Sequence, residues 1–260
     1  MERQIPHYEY KEYFKKINEY CLLIPTWNEG ERIKIELNRL KNKDIPKKID
    51  IFLLDAGSTD GSIEDDFLKD IGVRAVLTIR MKGQANAYKA GFSKVSDEKY
   101  KGIVTVDGNN KDSVEQTMEF VEMLEKGYDF VQGSRFMKGG YHKNTPLSRI
   151  LAIKLISNPL LSLSSGFKYT ETMSAFRGFS MKIIDDDRIA IFRDIFTSWE
   201  SQWYLANIIP KLGYKVIEIP QTRVYPKNGK IPTKINFFGN IQIMVQLIRV
   251  VFGYYDLKTK

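Results

Sequence analysis

Apolar residues in the first half of the chain fall into short runs ending in polar loops, and between those runs they recur at helical spacing. Tyr20-Cys-Leu-Leu-Ile-Pro25, Ile49 to Asp55, Val73 to Ile79, Gly102 to Asp107 and Tyr128 to Gly133 read as strands. Runs this short, apolar without strict alternation, are what strands buried on both faces of a parallel sheet require. Between them, Asn28 with Glu31 three residues on opens a helix carrying Ile33, Leu37 and Leu40. Gly83 to Val95 forms a second helix, in which Ala85, Ala87, Ala90 and Gly91 allow close approach to the sheet. A Ser113-x-x-Gln116 capping box starts a third helix with Val114, Met118, Val121 and Leu124 on one side, and Gly127 closes it in the αL conformation. Strands alternating with helices of this length imply right-handed parallel crossovers. The expected fold is α/β, a mostly parallel, Rossmann-like central sheet flanked by helices.

The second half is less regular. A helix runs from Pro146 at its first position to Ser165, and Glu171 to Phe179 is a loop or short strand containing Arg177. Trp199-Glu200 begins a helix ending near Gly213, and Tyr214 to Pro220 is the last strand. Residues 1–234 then form one domain, with 1–19 as a charged extension, and 235–260 form an apolar C-terminal helix. Ile235 to Tyr255 has only Arg249 charged and is long enough to span a bilayer, but Asn236, Asn240, Gln242 and Gln246 interrupt it. An ordinary docking helix and an interfacial membrane helix both remain open, ahead of a transmembrane span.

Composition narrows the classes. The 260 residues, 43% hydrophobic and 28% charged, suffice for one substantial core. The net charge of +8 is spread along the chain, without an arginine-rich run, so nucleic acid is not an expected partner. A basic surface suits phosphorylated substrates or an anionic leaflet. Cys21 is the single cysteine and sits in an apolar run, which excludes an internal disulfide and favours a reducing compartment. Met1 to Tyr20 carries no hydrophobic run of a signal peptide. The expected location is cytoplasmic, at most peripheral on the inner membrane face.

The candidate chemistry gathers where strands end. Ile103-Val-Thr-Val-Asp107-Gly-Asn109-Asn-Lys111-Asp112 places a carboxylate and an amide at the carboxyl end of a strand, where open α/β sheets bind ligands. For Asp107 alone, capping the next turn is explanation enough. Glu29, Asp55 and Asp112 fall at equivalent places, however, and acids gathered at one sheet edge need a cation or ligand hydroxyls. Acid and amide oxygens suit a hard divalent ion that also binds a diphosphate. Arg135, Arg149, Arg177, Lys227, Lys230 and Lys234 offer the charge that phosphate oxygens attract.

Four segments carry a resemblance. Ile24-Pro-Thr-Trp-Asn-Glu29, Asp55-Ala-Gly-Ser-Thr-Asp-Gly61, Asp107-Gly-Asn109 and Gly133-Ser-Arg135 come in the order and spacing of family-2 glycosyltransferases with the GT-A fold. From about Tyr20 to Lys234 the chain resembles the branch of dolichol-phosphate mannose synthase and the polyprenyl-phosphate glycosyltransferases. The resemblance implies a nucleotide-sugar donor, with Pro25, Trp27, Glu29 and Leu54 along its base and ribose. It implies a divalent metal, Mg2+ or Mn2+, on Asp107 and Asn109, and phosphate-binding roles for Arg135 and Arg149. Asp55, Gly83, Lys111 and Lys227 complete the expected donor site. The chain departs from the family pattern in four places. Ala56 replaces a second acid, Asn109 replaces the last aspartate of Asp-x-Asp, Lys111 stands where a further ligand is usual, and Glu171 takes the place of a common aspartate.

The expected reaction is inverting transfer by a single displacement, with Asp107, Arg135 and Glu200 as catalytic residues. A hydroxyl acceptor needs a carboxylate base, for which Glu200 is placed at a helix start. The same position is explained by a glutamate favouring the helix dipole. A lipid-phosphate acceptor needs no base and would be held by Arg135 and Arg149. A polyprenyl phosphate or a glycan is the expected acceptor, in cell-surface or lipid-linked glycan synthesis, with membrane contact and homo-oligomers left open. Two other classes compete. A sugar-phosphate nucleotidyltransferase would need a glycine-rich first loop, which Pro25-Thr-Trp-Asn-Glu29 is not. A catalytically silent nucleotide-sugar-binding protein is the other, suggested by Asn109 and Ala56.

Overall fold

The computed structural model describes residues 2–227 and 237–257, with side chains from residue 241 onward in the second span. Lys230, Lys234, Ile235, Asn236, Lys258 and Lys260 lie outside the described residues, and with them the expected domain boundary at 234/235. In chain order the sheet and its helices are β1 (Glu9–Glu12), β2 (Tyr20–Thr26), α1 (Glu31–Lys41), β3 (Asp50–Asp55), α2 (Asp65–Ile71), β4 (Ala75–Thr78), α3 (Gln84–Asp97) and β5 (Gly102–Thr105). There follow α4 (Thr117–Glu125), β6 (Phe130–Ser134), β7 (Tyr141–Lys143), α5 (Leu147–Leu151), α6 (Asn158–Ser165), β8 (Arg177–Ser180) and α7 (Met181–Ile184). The chain ends in α8 (Glu200–Lys211), β9 (Val216–Pro220), β10 (Thr222–Val224) and α9 (Phe237–Val251).

Eight of these strands form one sheet in the order β1-β4-β3-β2-β5-β8-β6-β9. The fold is the expected α/β arrangement, but two strands run against the rest. β1 pairs antiparallel to β4. β8 lies antiparallel between β5 and β6, pairing Thr105 with Arg177 and Gln132 with Arg177. The expectation of parallel crossovers throughout is therefore corrected. β8 is reached by loops, and its four residues include an arginine and a glycine, so no hydrophobic run announced it.

The apolar runs split by alternation onto the two faces of the sheet. Cys21, Leu23, Phe52 and Leu54 join α3, α8 and α9 in one core, while Leu22, Ile24, Ile51 and Leu53 join α1, α2 and α4 in the other. α3 sits close to the sheet because of Gly91, where an added Cβ would meet Leu54 Cδ2 at 2.9 Å. Residues 147–165 are helical throughout, with a π segment over Ala152–Ser157. Pro159 supplies the cause, since its ring cannot pass the carbonyl four residues back in an unbroken α-helix.

Both capping expectations are corrected. α1 starts behind Gly30, while Asn28 takes a left-handed conformation and accepts from Thr59 N at 2.8 Å. Ser113 makes no cap. Gln116 instead bonds across to the β9–β10 corner, accepting from Thr222 N at 3.1 Å and donating to Pro220 O at 3.2 Å. Gly127 does close its helix at φ 87°. The tail helix docks through Leu247 and Val250, which are fully buried beside α8 and α6, and leaves Ile241, Val245 and Ile248 outward.

Candidate active site

The loops leaving β2, β3 and β5, with the starts of α3 and α8, surround a cleft of ≈ 360 Å³, of the size that holds small molecules. Strand order divides it. Over β2 and β3 the lining is Pro25, Thr26, Trp27, Glu29, Leu54 and Ala56. Trp27 is 41% exposed, and Glu29 is paired to Arg32 at 2.8 Å. Asp55, expected in the donor site, does not line the cleft. Its oxygens accept from Gly57 N and Ser58 N at 3.0 Å and from Ser58 Oγ at 2.6 Å, turning the chain so that Ala56 faces inward. Gly83 lines the cleft at φ 111°, and a Cβ there would lie 1.9 Å from Thr197 O. No side chain fits that contact between α3 and the loop before α8.

The centre holds opposed charges. Asp107 Oδ2 lies 3.3 Å from Asn109 Nδ2 and 3.4 Å from the guanidinium of Arg223, and Asp107 Oδ1 lies 3.5 Å from Gln84 Nε2. Arg223 also donates to the fully buried Asp112 at 2.5 Å, an acid whose pKa burial pushes up despite that arginine. Lys111 is buried, with its ammonium 5.1 Å from the centroid of the Tyr225 ring. Burial, and then Arg223, push Lys111 down to about 8. Tyr225 accepts from Arg149 NH1 at 2.9 Å. Burial alone would raise this phenol, but Arg223, Arg149, Arg135 and Lys111 outweigh it and bring it down to about 7. Arg135 bonds the buried Glu171 at 2.6 Å through Nε, and its buried NH1 has no partner among the described residues. Glu171 thus serves as the counter-ion of an arginine in the wall.

Arg223 and Tyr225 were missed by sequence reasoning, which ended the last strand at Pro220. The usable signal was the spacing of Arg223 and Tyr225 around Val224, which sets both on one side of an extended strand. β10 pairs with β7 and bridges to Asp112, which carries both residues over the Asp107 loop.

Three expected residues are placed otherwise. Glu200 is buried at the start of α8 and does not line the cleft; its Oε1 accepts from the amides of Thr197 and Ser198. That is the dipole-side role of a glutamate in a first turn. Lys227 is exposed and does not line the cleft. Arg177 lines the cleft but spends its guanidinium on the carbonyls of Ser174, Gln202 and Thr172 and on the Gln202 side chain. Burial brings Arg177 down to about 10, so it stays charged at neutral pH.

Among the described residues, no three His, Cys, Asp or Glu side chains are grouped to hold a metal ion. Asp107 Oδ2 meets Asn109 Nδ2, and Asn109 Oδ1 is buried without a hydrogen-bond partner, so exchanging the two ends of that amide would bring an acid and a neutral oxygen together. An acid and a neutral oxygen fit a hard divalent ion that draws its remaining ligands from a diphosphate and water.

The profile of glycosyl transferase family 2 matches residues 21–196. The undecaprenyl-phosphate mannosyltransferase of Micrococcus luteus is 26% identical over 219 residues, which cover 80% of this chain and 84% of that protein. The undecaprenyl-phosphate 4-deoxy-4-formamido-L-arabinose transferase of Proteus mirabilis is 28% identical over 241 residues, 90% of this chain and 68% of that protein. The polyprenol monophosphomannose synthase of Mycolicibacterium smegmatis is 23% identical over 207 residues, 77% of this chain and 76% of that protein. Among solved structures, glucosyl-3-phosphoglycerate synthase from Mycobacterium tuberculosis, in complex with Mn2+, UDP and glucosyl-3-phosphoglycerate, superposes with a TM-score of 0.61. It covers 90% of this chain and 78% of its own at 13% identity, a likeness of fold.

Proposed function

The chain belongs to glycosyl transferase family 2, and from that premise we propose that it moves a sugar from a nucleoside-diphosphate sugar to the phosphate of a polyprenyl phosphate. The observation that carries this reading is the arrangement of charge around Asp107. Lys111, Arg135, Arg149 and Arg223 line one cleft, while Glu200, the expected base, is turned into the protein. A hydroxyl acceptor would need a base; a phosphate acceptor arrives already anionic and needs cations. The names of the similar proteins, two undecaprenyl-phosphate transferases and a polyprenol monophosphomannose synthase, support the same acceptor class.

In this mechanism the base and ribose lie along Trp27, Leu54 and Ala56, and the diphosphate lies over the Asp107 loop. An acceptor phosphate oxygen attacks the anomeric carbon as the bond to the leaving diphosphate breaks, inverting the configuration. Lys111 and Arg149 stabilise the negative charge growing on the leaving group, within a cleft where charges are weakly screened. Arg135, locked by Glu171, offers its unpartnered NH1 to a phosphate oxygen. Asp107 and Asn109 would hold a divalent ion, which supplies Lewis-acid neutralisation of the diphosphate when bound. A donor panel incubated with polyprenyl phosphate tests the reading. Sugar should become organic-soluble with polyprenyl phosphate and not with the corresponding polyprenol; equal transfer to both would refute the phosphate acceptor.

Tyr225 makes donor binding sensitive to pH. Below about 7 its phenol is neutral, and above that value it becomes an anion beside the diphosphate subsite. A sugar nucleotide, whose diphosphate does not titrate in this range, should bind roughly tenfold more weakly at pH 8 than at pH 6, as a nearby like charge at intermediate dielectric implies. Tyr225→Phe should remove the phenolate's share of that fall and leave the share that belongs to Lys111, whose pKa drops further once the phenolate no longer supports its charge. An unaltered titration profile in the variant would detach Tyr225 from the donor.

The proposed acceptor class supports a location at a membrane surface. No helix among the described residues is long and apolar enough to cross a membrane. The helix that carries Arg149 exposes Leu147, Leu151 and Leu155 at four-residue spacing, with Leu155 69% exposed, and α9 exposes Ile241, Val245 and Ile248. Burying such side chains at an interface, with a net charge of +8 against an anionic leaflet, supports peripheral binding. The protein should float with phosphatidylglycerol vesicles at low salt, and Leu151→Glu with Leu155→Glu should abolish flotation without lowering the melting temperature. Flotation unaffected by the two charges would move the contact elsewhere.

A further inference from the structure

Beyond the subsites for base and diphosphate, the wall formed by the loop into β8 and the start of α8 contains Thr172 to Ala175, Trp199, Gln202 and Trp203. Gln202 is 6% exposed, lines the cleft and is bonded to Arg177 of β8, the strand on the other side of β5 from β2 and β3. Its amide has one possible orientation. Arg177 NH1 donates to Gln202 Oε1 at 2.8 Å and to the Gln202 carbonyl at 2.6 Å. A guanidinium has only donors, so the amide oxygen must face it and the NH2 group must face away. Gln202 Nε2 is buried and has no hydrogen-bond partner among the described residues. Arg177 cannot turn to release it, because Nε is held by Ser174 O at 2.9 Å and NH2 by Thr172 O at 3.0 Å.

We propose that Gln202 is a specificity residue that donates a hydrogen bond from Nε2 to an oxygen of the transferred sugar, and that Arg177 is the positioning residue that fixes the amide for it. This deepens the donor reading and rests on it. A buried amide N–H without a partner is costly, and a ligand oxygen that satisfies it recovers that cost. The wall is otherwise apolar at Met173 and Ala175 and aromatic at Trp199 and Trp203, and its two hydroxyls are already spent, Thr172 donating to Asn158 and Ser174 to Gln221. Gln202 is therefore the position from which an oxygen at one site of the ring can be distinguished from hydrogen. A site built to bond a hydroxyl rejects the analogue that lacks it far more strongly than an apolar wall rejects an added methylene.

The experiment compares the wild type with Gln202→Glu, which keeps an acceptor for Arg177 but replaces the NH2 donor by a carboxylate oxygen. Binding of UDP, GDP, UDP-glucose, UDP-N-acetylglucosamine and GDP-mannose is measured by calorimetry, with thermal melting as the control for folding. The expected result is a melting temperature no lower than that of the wild type and an unchanged affinity for the bare nucleoside diphosphate. Affinity for the sugar nucleotide that the wild type binds should fall by tenfold or more. If the variant loses nucleoside diphosphate and sugar nucleotide in equal proportion, or loses neither, Gln202 does not read the sugar and the proposal fails. A wild type that binds none of the five overturns the donor reading itself, and with it this role for Gln202. Arg177→Lys supplies the second arm. It should lower sugar-nucleotide affinity in the same selective way, since a lysine cannot hold Thr172, Ser174 and Gln202 together.

Discussion

Replacing Arg223 by methionine is expected to abolish transfer and to destabilise the protein by about 3–5 kcal/mol, the cost of leaving one charge of a buried pair without its partner. The orphaned charge would be Asp112, which is fully buried and bonded to Arg223 at 2.5 Å. Asp107 would lose its contact with the same guanidinium at 3.4 Å. The two effects separate in a double variant. Adding Asp112→Asn to Arg223→Met removes the stranded acid, so most of the stability should return while transfer stays absent. Denaturant melts of the three variants, read beside transfer rates, make the comparison. If the double variant regains activity with its stability, Arg223 is a strut for the loop and not a part of the donor site.

Asp107→Ala should leave a folded protein that transfers sugar roughly 10²–10³-fold more slowly, the scale seen when one preorganised electrostatic partner is removed. Folding should survive because Asp112 keeps Arg223 as its counter-ion and the Asp107 loop remains tied to β10 through Val224 N and Lys111 O at 2.8 Å. Strong chelation of the wild type should produce a loss of the same order. Activity that persists through chelation and falls only with Lys111→Ala would move the work on the diphosphate from a divalent ion to the lysine. That outcome would make Lys111, at the place of a usual ligand, the functional substitution in this chain.

The parts of the site readable in advance were those where a strand signal ended in a polar loop. Trp27, Leu54 and Asp107 follow continuous apolar runs, and alternation along each run fixed which residues went to which core. β8 gave no such signal. Its stability comes from neighbours on both sides, and Arg177 is buried there only because carbonyls from three residues surround it. β1, Glu-Tyr-Lys-Glu, reads as a charged extension because an edge strand needs one partner and little burial. Asn28 and Ser113 have the right residue types for caps, but each cap competes with a tertiary bond, and for Asn28 the amide of Thr59 won. The spacing of Arg223 and Tyr225 sets them on one side of a strand, but where that side faces is not a local property. They reach the cleft through a two-stranded ribbon with β7, a contact more than eighty residues away in sequence.

The most direct measurement is a crystal structure of the protein with Mn2+ and a nucleoside diphosphate, the manganese located by anomalous scattering. The account predicts manganese on Asp107 and Asn109, phosphate oxygens within hydrogen-bond reach of Lys111 and Arg149, and the base against Trp27 and Leu54. A diphosphate bound away from the Asp107 loop, or a base seated over β8 beside Gln202, would contradict it.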